Sequence, residues 1–258
     1  MAVIFLESKD NAKIKHLRGL IELNSARKKH QQTVLEGTHL CLTWLQQQKK
    51  IFSLFTTEQA LAHPDLQKII ELHKGHIFVI SEVLYKDLST LGTTLPCLAI
   101  IDLPSNIQTI DFSKDTLILE NVQDPGNVGT LLRSAAAANV QQVICTQGSA
   151  SLWSPRVLRA GMGAHFSLKC FENYQLTDIL PKFNIPVFVT SSHRSTSLYG
   201  KDLTQPCVWI LGNEGQGASD YALEHAKAVT IPQPGGQESL NVAIAGSICL
   251  FEMVRQRQ

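Results

Sequence analysis

The 258-residue chain has no apolar run near the roughly 18 residues that a membrane-spanning helix requires. Its opening residues, MAVIFLESKDNAK, hold only a short apolar stretch with no basic residue ahead of it, which argues against a secretory signal. Cysteines are few and far apart, at 41, 97, 145, 170, 207 and 249, with no pair closer than 25 residues. That excludes CxxC pairs and zinc-finger spacings. The thiols are expected to be small buried side chains in a reducing compartment. Nine histidines are scattered, and no acids or histidines cluster at ligand spacing, so no metal is expected. Neither an internal repeat nor a low-complexity tract occurs. With 44% hydrophobic and 17% charged residues, the composition excludes disordered, collagenous and coiled-coil proteins. The chain reads as a soluble cytoplasmic protein of one large or two moderate domains.

The net charge of +1 hides an asymmetry. Residues 1–50 carry nine Lys/Arg against four acids, and the rest carry fourteen against eighteen. Clustered cations at one end are a footprint of phosphate binding, although a solvated helical face gives the same count. The densest cluster is Arg27-Lys28-Lys29-His30.

The first hundred residues read as mixed α/β. Ile14, Leu17, Leu20 and Ile21 recur at helical spacing over Asn11–Leu23. Strands are expected at 33–36, 52–56, 76–80 and 98–102, with helices at 38–47 and 64–72. The segment LPSNIQTIDFSKD (103–115) loses periodicity and reads as a linker, which puts a boundary near residue 108. The expected domains are therefore 1–108 and 109–258. Beyond it, strands at 116–120, 142–146, 187–190, 208–211 and 228–231 alternate with helices, including 128–139 and 239–255. Short buried runs alternating with helices specify a mostly parallel sheet covered on both faces. Ligands on such sheets sit beyond the carboxyl ends of the strands. The loops after Glu120, Thr190, Leu211 and Ile231 are thus the places for chemistry.

Three loops stand out. In NVQDPGNVGTLLRSAAAA (121–138), Asn127 reads as a helix N-cap preceded by a Pro125-Gly126 turn. Arg133 follows six residues later, a little under two helical turns. The helix start could hold a phosphate, but no GK[ST] makes it a Walker loop. In ILGNEGQGAS (210–219), three glycines surround Glu214 and permit close backbone approach. In IPQPGGQESLNVAIAGSICLFE (231–252), Ser239 reads as the cap of a final helix with Asn241 in its first turn. Leu240, Ile244, Ser247 and Phe251 form one stripe there, suited to core or interface.

In this order and spacing, the three segments resemble the motifs of the SpoU/TrmH family of RNA ribose 2′-O-methyltransferases, in the SPOUT superfamily. The matching residues are Asn127 through Arg133, Gly212-Asn213-Glu214-Gly215-Gln216-Gly217, and Ile231-Pro232 through Ser239-Leu240-Asn241-Val242. RVLRAGMGAHF (156–166) is similar to the family's intervening segment, and residues 7–45 resemble the small RNA-binding domain often attached. Two residues depart from the pattern. Gln233 stands where many members carry Met, and Ala243 where some carry Ser.

The resemblance implies S-adenosylmethionine as cofactor and a C-terminal trefoil knot whose loops hold it. Thr190, Ser191, Leu211, Gly212, Asn213, Gly215, Ile231, Pro232, Ser239, Leu240 and Asn241 would bind the cofactor. Asn127, Arg133, Glu214, Ser239 and Asn241 would carry the chemistry. Arginine is a poor literal base. Arg133 is therefore expected to bind the neighbouring phosphate and stabilise the emerging alkoxide, with Glu214 orienting Arg133 or loop amides. Dimerisation through the knotted domain and its final helix is also implied. Ribosomal RNA is favoured as substrate ahead of transfer RNA.

Three rivals were weighed. A non-catalytic RNA-binding paralogue is disfavoured by the intact set of polar residues. A Rossmann oxidoreductase would need GxGxxG and an acid about 20 residues on, and has neither. A base-modifying SPOUT enzyme is disfavoured by the SLN pattern.

Overall fold

The computed structural model describes residues 3–90, 95–104, 109–191, 196–236 and 239–258. The chain divides into two compact units. One is Met1–Asn106 with Trp153–Gly163, the other Ile107–Leu152 with Ala164–Gln258. Residue 108, the expected boundary, lies outside the described residues. Within the span expected to form one second domain, the segment Trp153–Gly163 joins the first unit instead.

The first unit is a five-stranded mixed sheet with helices. Its elements run β1 (Val3–Leu6), α1 (Ala12–Glu22), α2 (Asn24–His30), β2 (Gln32–Glu36), α3 (Thr38–Gln46), β3 (Ser53–Thr56), α4 (Pro64–Leu72), β4 (His76–Ile80), α5 (Glu82–Leu88) and β5 (Leu98–Asp102). Strand order is β1-β4-β3-β5-β2. β1, β4 and β3 are parallel, and β5 is antiparallel to β3 and β2. Ile14, Leu17 and Leu20 are fully buried, so the lysine-studded face of α1 is the solvated one. The basic cluster behaves less simply. Arg27 is buried and donates to the carbonyls of Leu20 and Ile21 at 2.9 and 3.2 Å, tying the end of α1 to α2. Lys28 and Lys29 remain exposed.

The second unit is a wholly parallel six-stranded sheet flanked by helices. Its chain runs β6 (Thr116–Leu119), α6 (Pro125–Ala137) and β7 (Gln142–Thr146). α7 (Pro155–Gly161) then packs on β2 in the first unit. The chain returns through β8 (Lys169–Tyr174), α8 (Leu176–Ile179), β9 (Val187–Thr190), β10 (Val208–Leu211), α9 (Asp220–His225), β11 (Lys227–Val229) and α10 (Val242–Gln256). Strand order is β11-β9-β10-β6-β7-β8. β6, β7 and β10 are buried throughout, as a sheet covered on both faces demands. The order reverses between β6 and β10, so the crevice for a ligand opens beyond their carboxyl ends.

Helix α10 lies against α6 and β10. Gly246 makes that approach possible, because a Cβ there would overlap the side chains of Leu131 and Leu211. The Ser247 hydroxyl donates to Ala243 O at 2.7 Å, and Ser134 Oγ sits 2.7 Å from Ser247 Oγ across the helix pair.

Two helix starts differ from expectation. α6 begins at Pro125, and its N-cap is Asp124, whose carboxylate accepts from Asn127 N at 2.8 Å. Asn127 therefore sits inside the first turn, and Pro125 is the first helical residue rather than a turn residue. Proline suits that position because its missing N–H would find no partner there. α10 begins at Val242. Its cap is Asn241, accepting from Ala243 N and Ile244 N at 2.9 and 3.3 Å, and not Ser239.

Candidate active site

The loop after β10 is a closed ring. Asn213 and Gly217 exchange backbone hydrogen bonds, each of 2.9 Å. Asn213 Oδ1 accepts from Gly215 N and Gln216 N, and its Nδ2 donates to Asn121 O at 2.8 Å. Gly212 is obligatory, since a Cβ would overlap the backbone of Gly217 and Ala218. Gly217 has φ +75°, which favours glycine.

This ring presents Glu214 to the start of α6. Its carboxylate accepts from Gln123 N and Asp124 N, each at 3.2 Å, and from Asn127 Nδ2 at 3.1 Å. Partial burial pushes the Glu214 carboxyl up. The donors from Asn127 and the backbone amides outweigh that and hold it below the usual carboxylate range. Asn127 Oδ1 in turn accepts from Asn241 Nδ2 at 3.0 Å. One relay, Asn241 to Asn127 to Glu214, thus joins α10, α6 and the loop after β10. Glu214 orients loop amides and Asn127, and makes no printed contact with Arg133. Arg133 is exposed on α6, with no ion pair or hydrogen bond among the described residues.

Beside the relay lies a cavity of about 810 Å³, within the usual range for small-molecule sites. Of the residues expected to hold the cofactor, Thr190, Ser191, Gly212, Asn213, Gly215, Ile231, Ser239, Leu240 and Asn241 line it. Leu211 is fully buried within β10, and neither it nor Pro232 is in the lining. Glu214 also faces the cavity, whereas Asn127 and Arg133 do not. Apolar walls come from Leu223, Val229 and Ala245, which sequence reasoning missed because nothing in a loop motif points to the middle of a helix or strand. Gln233 was noticed only as a departure from pattern. It lines the cavity, and its buried Oε1 accepts no hydrogen bond.

These features fit a nucleoside-bearing cofactor. The cavity has apolar walls for a base, a glycine loop that lets backbone groups approach, and a buried acceptor in want of a donor. His165, in contrast, is structural. It is 2% exposed, Nε2 donates to Leu152 O at 2.8 Å, and burial lowers its pKa to about 4. No group of three metal-ligating side chains occurs among the described residues, and no helix there is long and apolar enough to cross a membrane.

Comparison with known proteins places the chain. Residues 114–251 match the SpoU rRNA Methylase family, and residues 11–99 match an MRM3-like substrate binding domain. The chain belongs to the SpoU rRNA methylase family. It is an RNA ribose methyltransferase that uses S-adenosylmethionine. Within the family it is 34% identical to a tRNA/rRNA methyltransferase of Synechocystis, over 98% of this chain and 94% of that one. It is 26% identical to the 23S rRNA (guanosine(2553)-2′-O)-methyltransferase RlmP of Bacillus subtilis, over 96% and 98%. A solved RNA 2′-O ribose methyltransferase superposes with a TM-score of 0.86 at 27% identity, covering 98% of this SpoU chain and 99% of the other.

Proposed function

We propose that this chain methylates a ribose 2′-hydroxyl of ribosomal RNA, with the cofactor in the 810 Å³ cavity and Arg133 acting on the RNA. The observation that carries this reading is the relay from Asn241 through Asn127 to Glu214, which draws three distant sequence segments to the cavity mouth. The cofactor supplies an electrophilic sulfonium methyl. The protein must align the hydroxyl, which is worth up to about 7–11 kcal/mol in favourable cases, and stabilise the charge that develops on its oxygen. Arg133, exposed and without a partner, is suited to hold the adjacent phosphate bidentately and to face the emerging alkoxide. A phosphate oxygen or water accepts the proton. Ser239 and Asn241 bind the ribose or the cofactor carboxylate.

Lys9, Lys13, Lys28 and Lys29, all exposed on the first unit, supply phosphate contacts. The relatives named for ribosomal RNA favour that substrate, and the Synechocystis name keeps transfer RNA as the second pool to test. A homodimer forms through the second unit. Ile244 and Phe251, seven residues apart on α10, leave apolar surface that is 54% and 49% exposed. The trefoil knot belongs to the same reading, supported by the passage of the chain from edge strand β11 back to α6 and β10.

The test is methyl transfer from labelled S-adenosylmethionine to unmodified ribosomal and transfer RNA pools. The wild-type chain labels ribosomal RNA. Arg133→Ala lowers the rate by about 10²–10³-fold, as loss of a charge-stabilising donor does, with cofactor affinity unchanged. If Arg133→Lys keeps nearly full activity, the bidentate role is wrong.

A further inference from the structure

Gln233 Oε1 is closed off from solvent, and no hydrogen bond reaches it. A buried amide oxygen without a donor carries a desolvation penalty that nothing among the described residues offsets. Local sequence makes this harder to relieve. Gln233 lies between Pro232 and Pro234. Proline has no N–H, so neither neighbour can donate. Pro234 also restricts Gln233 to extended backbone, and Gly236 N donates to Gln233 O at 3.2 Å, which pins the main chain of the turn. The segment is rigid, its backbone carbonyl is used, and its side-chain acceptor is not.

The missing donor can come from the cavity that Gln233 lines. On the methyltransferase reading, the occupant is S-adenosylmethionine. Its donors are the adenine amino group, the ribose hydroxyls and the α-ammonium. Gln233 follows Ile231 on the loop after β11, and the apolar lining of Leu223, Val229, Ile231 and Ala245 suits a flat base better than a hydroxyl or a cation. A carboxamide also matches an adenine edge, because it offers an acceptor to the exocyclic N–H beside a donor to a ring nitrogen.

We infer that Gln233 is the side chain that reads adenine, its Oε1 accepting from the exocyclic amino group. Methionine, found at this position in many family members, could not make that bond. Side-chain recognition of the base is thus a property of this chain rather than of the motif. Gln233 is a specificity-determining residue and has no part in methyl transfer.

The inference rests on the methyltransferase reading, and binding measurements separate the two. Calorimetry on the full chain would use S-adenosylhomocysteine and its counterpart in which hydrogen replaces the exocyclic amino group. Wild type should prefer the first by roughly tenfold, the scale of one net hydrogen bond. Gln233→Met should lose that preference through weaker binding of S-adenosylhomocysteine, while Gln233→Glu, which keeps an acceptor, should retain most of it. Ligand-free Gln233→Met should melt at or above wild type, since the unpaired oxygen is gone. The inference is overturned if Gln233→Met keeps the full preference, or if it weakens both ligands equally, which would mark a role in cavity shape alone. Failure of wild type to bind S-adenosylhomocysteine would remove the methyltransferase reading itself.

Discussion

Asn241 Nδ2 donates to Asn127 Oδ1 at 3.0 Å, across 114 residues of sequence. The same Asn241 caps α10 with its Oδ1, and the same Asn127 donates to Glu214. Each amide is therefore oriented at both ends. Helix geometry on one side of the crevice is tied to loop geometry on the other, and a fault in one propagates to the next.

Removing either amide should expose that coupling. Asn241→Ala loses a helix cap worth about 1 kcal/mol as well as the link to Asn127. Asn127→Ala loses the link alone. In a double-mutant cycle read by urea unfolding, the two should couple by about 0.5–1.5 kcal/mol. Simple additivity would mean the relay carries no energy.

Acid should loosen the loop after β10. The Glu214 carboxyl is held below its ordinary value of 4.5 in the folded chain. Its contribution is thus complete above that value and is lost as pH falls through the folded-state pKa. Melting temperature measured between pH 6 and pH 3 should fall more steeply for wild type than for Glu214→Gln, which cannot titrate. Parallel curves would show that the carboxylate is not held by its donors.

The α6–α10 contact should not tolerate bulk. Gly246→Val places atoms where Leu131 and Leu211 already are, and should cost about 1–3 kcal/mol through overpacking. Gly200→Ala, which meets open space, should change stability by less than about 0.5 kcal/mol. Chemical denaturation of both variants checks the contrast.

Assembly through α10 gives a different readout. If Ile244 and Phe251 are covered by a second copy, Ile244→Glu combined with Phe251→Glu should convert a dimer to a monomer in sedimentation velocity. A wild-type chain that is monomeric at micromolar concentration would contradict the dimer.

Much of this was legible from pattern. The buried runs at 142–146, 187–190 and 208–211 form strands with those bounds, because a parallel sheet buried on both faces leaves uninterrupted apolar segments. Strand β8 was not anticipated. It is an edge strand reading KCFENY, with only Phe171 buried, so it lacks that signal. β1 was also passed over, since its exposed Val3, Ile4 and Phe5 do not alternate. The helix caps were misplaced by two or three residues. Asp124-Pro125 and Asn127 both suit a helix start, as do Ser239 and Asn241, and only the tertiary partners decide between them. Segment 153–163 shows no compositional sign that it belongs with the first unit, because its placement depends on a strand more than a hundred residues earlier. The site residues were recovered from motif order. Their connection through Asn127, and the buried acceptor on Gln233, required coordinates.

The central claim is that the methyl group goes to ribose. The direct measurement is alkaline digestion of RNA labelled by this chain with methyl-tritiated S-adenosylmethionine. A 2′-O-methyl group blocks attack on the adjoining phosphate, so the account predicts label in alkali-resistant dinucleotides and none above background with Arg133→Ala. Label released in mononucleotides would place the methyl on a base and contradict it.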